Sequence, residues 1–198
     1  MPKIVDHDKQ RQRVADAAIQ VIRRSGLEQA SVRNIAAEAG LSVGSMRHYF
    51  STQAELFAFC MNIFRERIEK RIERMTFNGP ITQELKQLIL QFLPLDDERT
   101  IEMEVWFSFN AKALIHPELR TLSNEMHDGL YRTSKFVIDT LVERGLASSN
   151  LEPEIETEKL YALIDGLAIH QIMQPGRLEA KRIEFMIDDH LSMLCRNE

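Results

Sequence analysis

The chain has 198 residues, with 25 Lys and Arg, 30 Asp and Glu, and 44% apolar residues, enough for a sizeable core in one or two domains. A net charge of −5 excludes a uniformly basic nucleic-acid coat, and no apolar run nears the roughly 18 residues a membrane span needs. Cys60 and Cys195 stand far apart in no metal or redox spacing, which argues against a disulfide framework and for a reducing cytoplasm.

The charge is unevenly spread. Residues 1–50 carry eight Lys or Arg against five Asp or Glu, and the remainder carries 17 against 25. A basic head on an acidic body fits a small DNA-reading module joined to something that must not bind DNA. The first eight residues are polar and lack an apolar core of the signal-peptide type. Lys3 is a candidate minor-groove contact on this arm.

Lys9 to Ser25 reads as the first helix. Val14, Ala17, Ala18, Val21 and Ile22 recur at three and four residues and form one stripe, and Gly26 stops it. Ser31 to Phe50 then reads as two short helices joined by a tight turn. Ser31 caps the first, Gly40 ends it, and Ser42 caps the second, which runs over about 43–49. Ile35, Ala36, Ala39, Leu41 and Met46 are the positions where two steeply crossing helices must touch. Val43, Gly44, Ser45, Arg47 and His48 remain on the outer side of the second helix, and none is a large aliphatic that a core requires. This is the pattern of a helix-turn-helix whose second helix enters a major groove. Many small helical domains contain such a turn and bind nothing, so the turn alone leaves the function open.

Thr52 and Glu55 have capping-box spacing, and a long helix follows to about Met75. Leu56, Phe57, Cys60, Ile63, Phe64, Ile68 and Ile72 are its buried side. The charged residues from Arg65 to Arg74, Arg71 among them, read as a solvated face. Asn78-Gly79-Pro80 breaks the chain. Four stretches follow that read as helices: Thr82 to Leu93, Asp97 to Ile115, Glu118 to Arg144 and Pro153 to Met173. A last helix spans Glu179 to Cys195. No segment alternates with period two, so the fold is all-α with about nine helices. The domains divide as 1–51, a helix-turn-helix module, and 52–198, a helical body, with 52–75 as the linking helix.

The pattern Ser31-Val32-Arg33-x-Ile35-Ala36-x-x-Ala39-Gly40-Leu41-Ser42, then Gly44-Ser45, His48-Tyr49-Phe50 and Glu55-Leu56, resembles the TetR family of bacterial transcriptional regulators. Glu104 to Phe109, Pro117 to Arg120 and Leu163 to His170 resemble the C-terminal domain of its betaine-regulator-like branch. The resemblance implies a homodimer on a palindromic double-stranded DNA operator, most often a repressor, released by a small-molecule effector. It implies that Val43, Gly44, Ser45 and Arg47 face bases or the groove wall. Ser31, Val32, Arg33, Ser42, His48 and Tyr49 belong to the same DNA-binding set, most of them against the phosphate backbone. Arg47 stands where the family usually has Tyr, and Gln53 where it usually has Lys, so the charge presented to DNA is redistributed.

In the body, Met103, Trp106, Phe107, Met126, His127, Tyr131 and His170 are candidate ligand-binding residues, although a Met or aromatic stripe is more often plain core. Glu102 or Glu104 beside Trp106 and Tyr131 would suit a cationic effector. The last two helices are the candidate dimer face, through Leu163, Gly166, Leu167, His170, Ile183, Ile187 and Leu191. Gly166 has a competing reading as a packing glycine within one subunit.

Neither an enzyme nor a metalloprotein is signalled. His7, His48, His116, His127, His170 and His190 form no H-x-x-x-H or H-E-x-x-H pair, Asp188-Asp189-His190 point apart on a helix, and no phosphate loop or nucleophile elbow occurs. No metal or other cofactor is expected. Among non-enzymes, the alternative to an operator reader is a helical adaptor that binds protein instead of DNA. The apolar neighbours of Cys60 suit a buried structural thiol better than a redox sensor.

Overall fold

The computed structural model describes residues 7–47, 50 and 52–195. Lys3, His48 and Tyr49 lie outside these, as do the side chains of Arg47 and Gln53. Nine α-helices occur among the described residues: α1 (His7–Ser25), α2 (Val32–Ala39), α3 (Val43–Arg47), α4 (Gln53–Glu73), α5 (Ile81–Ile89), α6 (Asp97–Ile115), α7 (Arg120–Glu143), α8 (Pro153–Met173) and α9 (Ala180–Leu194). No strand is present among them, and one isolated bridge pairs Ala147 with Cys195. The all-α expectation therefore holds.

Two helix ends differ from the sequence-based expectation, each for a local reason. The segment ending before Pro94 leaves α-geometry after Ile89 and tightens into a 3-10 turn, Leu90–Phe92. Such tightening is common where the last carbonyls lack partners. Pro117 starts a second 3-10 turn, Pro117–Leu119, and α7 begins only at Arg120.

The chain forms two compact units. One comprises residues 1–67 with 105–120, the other 68–104 with 121–198. Helices α4 and α6 each contribute residues to both. In the first unit, the α1 stripe is internal: Val14, Ala17, Ala18, Val21 and Ile22 are at most 5% exposed. It is joined in the core by Ile35, Ala36, Ala39, Met46, Leu56, Phe64 and Phe109.

In the second unit, α8 buries Leu160, Ile164, Leu167 and Ala168, and α9 buries Ile183, Ile187, Leu191 and Leu194. Lys86 on α5 is also buried and pairs with Asp188 on α9. The acidic end of Asp188-Asp189-His190 is thus a tie between helices. A second polar junction gathers α4, α5 and α6. Arg71 donates to both carboxylate oxygens of Glu102, at 2.8 and 2.7 Å, and to the Gln91 carbonyl at 3.3 Å. Arg99 donates to the Leu90 carbonyl at 2.7 Å and is paired with Asp96. Two guanidinium groups therefore hold consecutive carbonyls in the 3-10 turn that follows α5, where helix polarity favours cations. Charge patterning alone puts Arg71 on the solvated face of α4. It is instead mostly covered, and its partner Glu102 is 2% exposed.

Candidate nucleic-acid interface

The helix-turn-helix is built from local hydrogen bonds. Ser31 is extended, and its Oγ accepts the Asn34 N–H at 3.1 Å, capping α2. At the other end Gly40 adopts φ 62°, ψ 36°. The Leu41 N–H reaches the Ala36 carbonyl and the Gly40 N–H the Ala37 carbonyl, the paired bonds of a Schellman ending. Ser42 Oγ accepts the Ser45 N–H at 3.0 Å and lies 2.9 Å from Ser45 Oγ, so α3 starts two residues after α2 has turned. Thr52 Oγ1 then accepts the Glu55 N–H at the entry to α4.

Gly40 carries the turn. A Cβ there would sit 2.8 Å from Arg13 Nη2, and the left-handed backbone disfavours any L side chain. Gly40→Ala is expected to lower stability by about 1–2 kcal/mol, read as an earlier denaturation midpoint. An unchanged midpoint would contradict this account of the turn.

Packing decides which side of α3 is left outside. Met46 is fully buried and anchors it, whereas Val43 is 39% exposed. Ser42 and Gly44 are exposed and Ser45 is half-buried; on α2, Ser31 and Val32 are half-buried and Arg33 is exposed. Ser45 is therefore less outward than its place in the sequence suggests, and its hydroxyl is partly engaged by Ser42. The backbone of Arg47 closes α3.

The ligand candidates are spread over both compact units. Trp106 and Phe107 belong to the unit that contains the helix-turn-helix, whereas Met103, Met126, His127, Tyr131 and His170 belong to the other. Trp106 is 8% exposed and stacks with Phe109 at 6.4 Å. Glu102 cannot serve as an open anchor for a cationic effector, because Arg71 already holds both of its oxygens. His170 is exposed.

His127 and Tyr131 on α7 meet a residue that sequence reasoning misses, Tyr161 on α8. His127 Nδ1 lies 2.5 Å from the Tyr161 hydroxyl, and Tyr131 meets the Tyr161 ring edge-on at 6.1 Å. Burial, with Asp165, Glu158 and Asp128 nearby, pushes the Tyr161 phenol up to about 12. Burial also raises Asp165, against the opposing effect of His127. No short-range pattern marks this cluster, since it is made by the register of two long helices. Burial pushes the Cys60 thiol up to about 12, which keeps it protonated and unreactive.

The candidate dimer residues divide by face. Leu167, Ile183, Ile187 and Leu191 are at most 3% exposed within the chain itself, so their side chains serve its own core and do not form an outer face. Leu163 and Gly166 are half-buried and His170 is exposed. A Cβ on Gly166 would find no atom within 4 Å among the described residues. The outward apolar side chains of α8 are Ile155, Ile169 and Met173, at 50, 41 and 71% exposure. They share the Gly166 side of the helix, with Ala162 between. On α9, Phe185 and Met193 are 67 and 68% exposed.

A capped helix-turn-helix set before a long helix is the architecture of a class of DNA-reading regulators. The chain belongs to the TetR family of bacterial regulatory proteins, whose model matches residues 14–59, and a model described as BetI-type transcriptional repressor, C-terminal, matches residues 81–196. It is 42% identical to the HTH-type transcriptional regulator PksA of Bacillus subtilis (strain 168), over 98% of this chain and 94% of that one. It is 22% identical to the HTH-type transcriptional regulator BetI of Serratia proteamaculans (strain 568), over 99% and 98%. A solved transcriptional regulator from Rhodococcus sp. Rha1 superposes with a TM-score of 0.77 at 31% identity, over 93% of this chain and 95% of that one. The protein is thus a transcriptional regulator and not an enzyme. Among the described residues, no helix is long and apolar enough to cross a membrane.

Proposed function

We propose that this regulator is a cytoplasmic repressor that binds a palindromic operator as a homodimer and leaves it when a small molecule occupies the helical body. The observation that carries the reading is the outward face of α3, held out by the buried Met46 and started by the Ser42 cap. Residues 1–51 are the DNA-binding domain. Val43, Gly44, Ser45 and Arg47 read the groove, Ser31, Val32, Arg33, His48 and Tyr49 approach the phosphate backbone, and Ser42 belongs to the same DNA-binding set. The first N–H groups of a helix lack intrahelical partners, so the N-terminus of α2 suits a phosphate.

The dimer contact is the outer side of α8 and α9, with Gly166 at its centre and Leu163, Ile169, His170, Met173, Phe185 and Met193 around it. A helix apolar on both sides is one packed between its own core and another surface, and α8 buries one side while exposing the other. The effector reading rests on His127, Tyr131 and Tyr161. A ligand releases DNA only if it binds the non-DNA geometry better.

Selection of genomic fragments bound by the full chain, followed by gel shifts at two salt concentrations, tests the reading. A specific, salt-sensitive shift supports it. Absence of any specific fragment favours an adaptor. Arg47→Ala should weaken operator binding by about 1–3 kcal/mol if the guanidinium reads a base. If it meets a phosphate, the salt slope should fall by roughly one unit. Unchanged affinity and slope together would remove Arg47 from the interface.

A further inference from the structure

We infer that Lys112, on α6, is a positioning residue for operator binding, acting through Glu28 and Phe57; the inference rests on the operator-binding reading above. Three observations converge on it. Residues 105–120 belong to the same compact unit as the helix-turn-helix. Lys112 Nζ lies 2.6 Å from Glu28 Oε1, and 5.2 Å from the centroid of the Phe57 ring. Its side chain is 18% exposed although it ends in a charge.

Each partner fixes a different part of the DNA-binding unit. Glu28 is the middle residue of the 3-10 turn Leu27–Gln29 between α1 and α2. That turn is tied directly to α2, since the Asn34 side-chain amide donates to the Gln29 carbonyl at 2.8 Å. Leu27 and Ala30, on either side, are buried, so the turn cannot shift without the helices it joins. Phe57 stands in the second turn of α4 and is 6% exposed. One ammonium therefore holds three elements, α6, the α1–α2 turn and the start of α4, by an ion pair and a cation–π contact.

Such a contact contributes little to stability when one partner is exposed, and Glu28 is 74% exposed. Its consequence is angular. The tilt of α2 and α3 is set by how the α1–α2 turn is held, and in a dimer a small tilt changes the separation of two recognition helices. Those helices must sit about one DNA turn, roughly 34–36 Å, apart. Lys112 thus acts on half-site spacing without touching DNA.

The test uses the full chain and an operator fragment recovered by genomic selection, alongside a version of that fragment with its half-sites moved apart by one base pair. Lys112→Met keeps the packed stem and removes the charge. Its melting temperature should move by no more than about 4 °C. Its salt slope should equal that of wild type, because no phosphate contact is lost. The wild-type preference for native over widened spacing should shrink about tenfold, and the exchange Glu28→Lys with Lys112→Glu should restore part of it, since the ion pair returns without the cation–π contact. A purely structural role would lower the melting temperature and weaken both fragments alike. Retained spacing preference in Lys112→Met, or no rescue by the exchange, overturns the inference. A salt slope reduced by one unit also overturns it, since Lys112 would then be a phosphate contact. A wild-type chain that binds no fragment overturns both this inference and the reading beneath it.

Discussion

Glu102→Met and Arg71→Met should each lower stability by about 3–5 kcal/mol, because either change breaks a largely buried, doubly hydrogen-bonded ion pair. Glu102 is 2% exposed, and both of its oxygens accept from Arg71. In the Glu102 variant the guanidinium keeps its charge and its cover and loses the carboxylate that accepts two of its bonds. In the Arg71 variant the buried Glu102 carboxylate loses the two hydrogen bonds that the guanidinium supplied. The double variant Arg71→Met, Glu102→Met removes both charges at similar volume, and such replacements are often neutral. Its stability should return to within about 1 kcal/mol of wild type. Denaturant unfolding of the four proteins at one fixed chain concentration closes the cycle, since assembly makes stability depend on concentration. Additive single effects would refute a coupled pair.

Ile169→Glu should convert the protein to a monomer and weaken operator binding by about 10²–10⁴-fold. Ile169 and Met173 lie one turn apart on the outer side of α8, both exposed in the single chain, with Gly166 open beside them. A carboxylate in the centre of an apolar contact must lose its water on dimerisation and gains no partner there. Loss of the dimer separates the two half-site contacts, so each recognition helix binds alone and the effective-concentration gain disappears. Light scattering reports the mass and gel shifts report the affinity. Because Ile169 is outside the core of its own subunit, the monomer should keep its helical signal. A dimer of wild-type strength in this variant would place the interface elsewhere.

Features of this chain differ in how far residue order alone reveals them. The helix-turn-helix is legible because its determinants are local. Ser31, Gly40 and Ser42 act on backbone groups within five residues of themselves, so the residue type announces the cap. The apolar stripe of α1 is legible for a related reason, since a helix period maps spacing directly onto a face. Helix ends at Gly26 and before Pro117 follow from backbone chemistry alone.

Other features rest on register between distant segments. Arg71 and Glu102 are 31 positions apart, and an arginine on a charged helix looks the same whether it faces water or a buried carboxylate. His127 and Tyr161 are 34 apart and become partners only through the register of α7 against α8. The stripe on α9 shows that one side must be covered, and not what covers it. Ile183, Ile187 and Leu191 are covered by their own chain, leaving Phe185 and Met193 outward.

Caps, stops and periodicity act over one or two turns, and so the helix order, the turn at Gly40 and the exposure of Val43 and Gly44 can be read directly from the residues. Ion pairs such as Arg71–Glu102 and Lys112–Glu28, and the assignment of each apolar face to core or surface, depend on which helices come to lie side by side. That choice is made by the summed burial of many side chains across the chain, and no short stretch carries it.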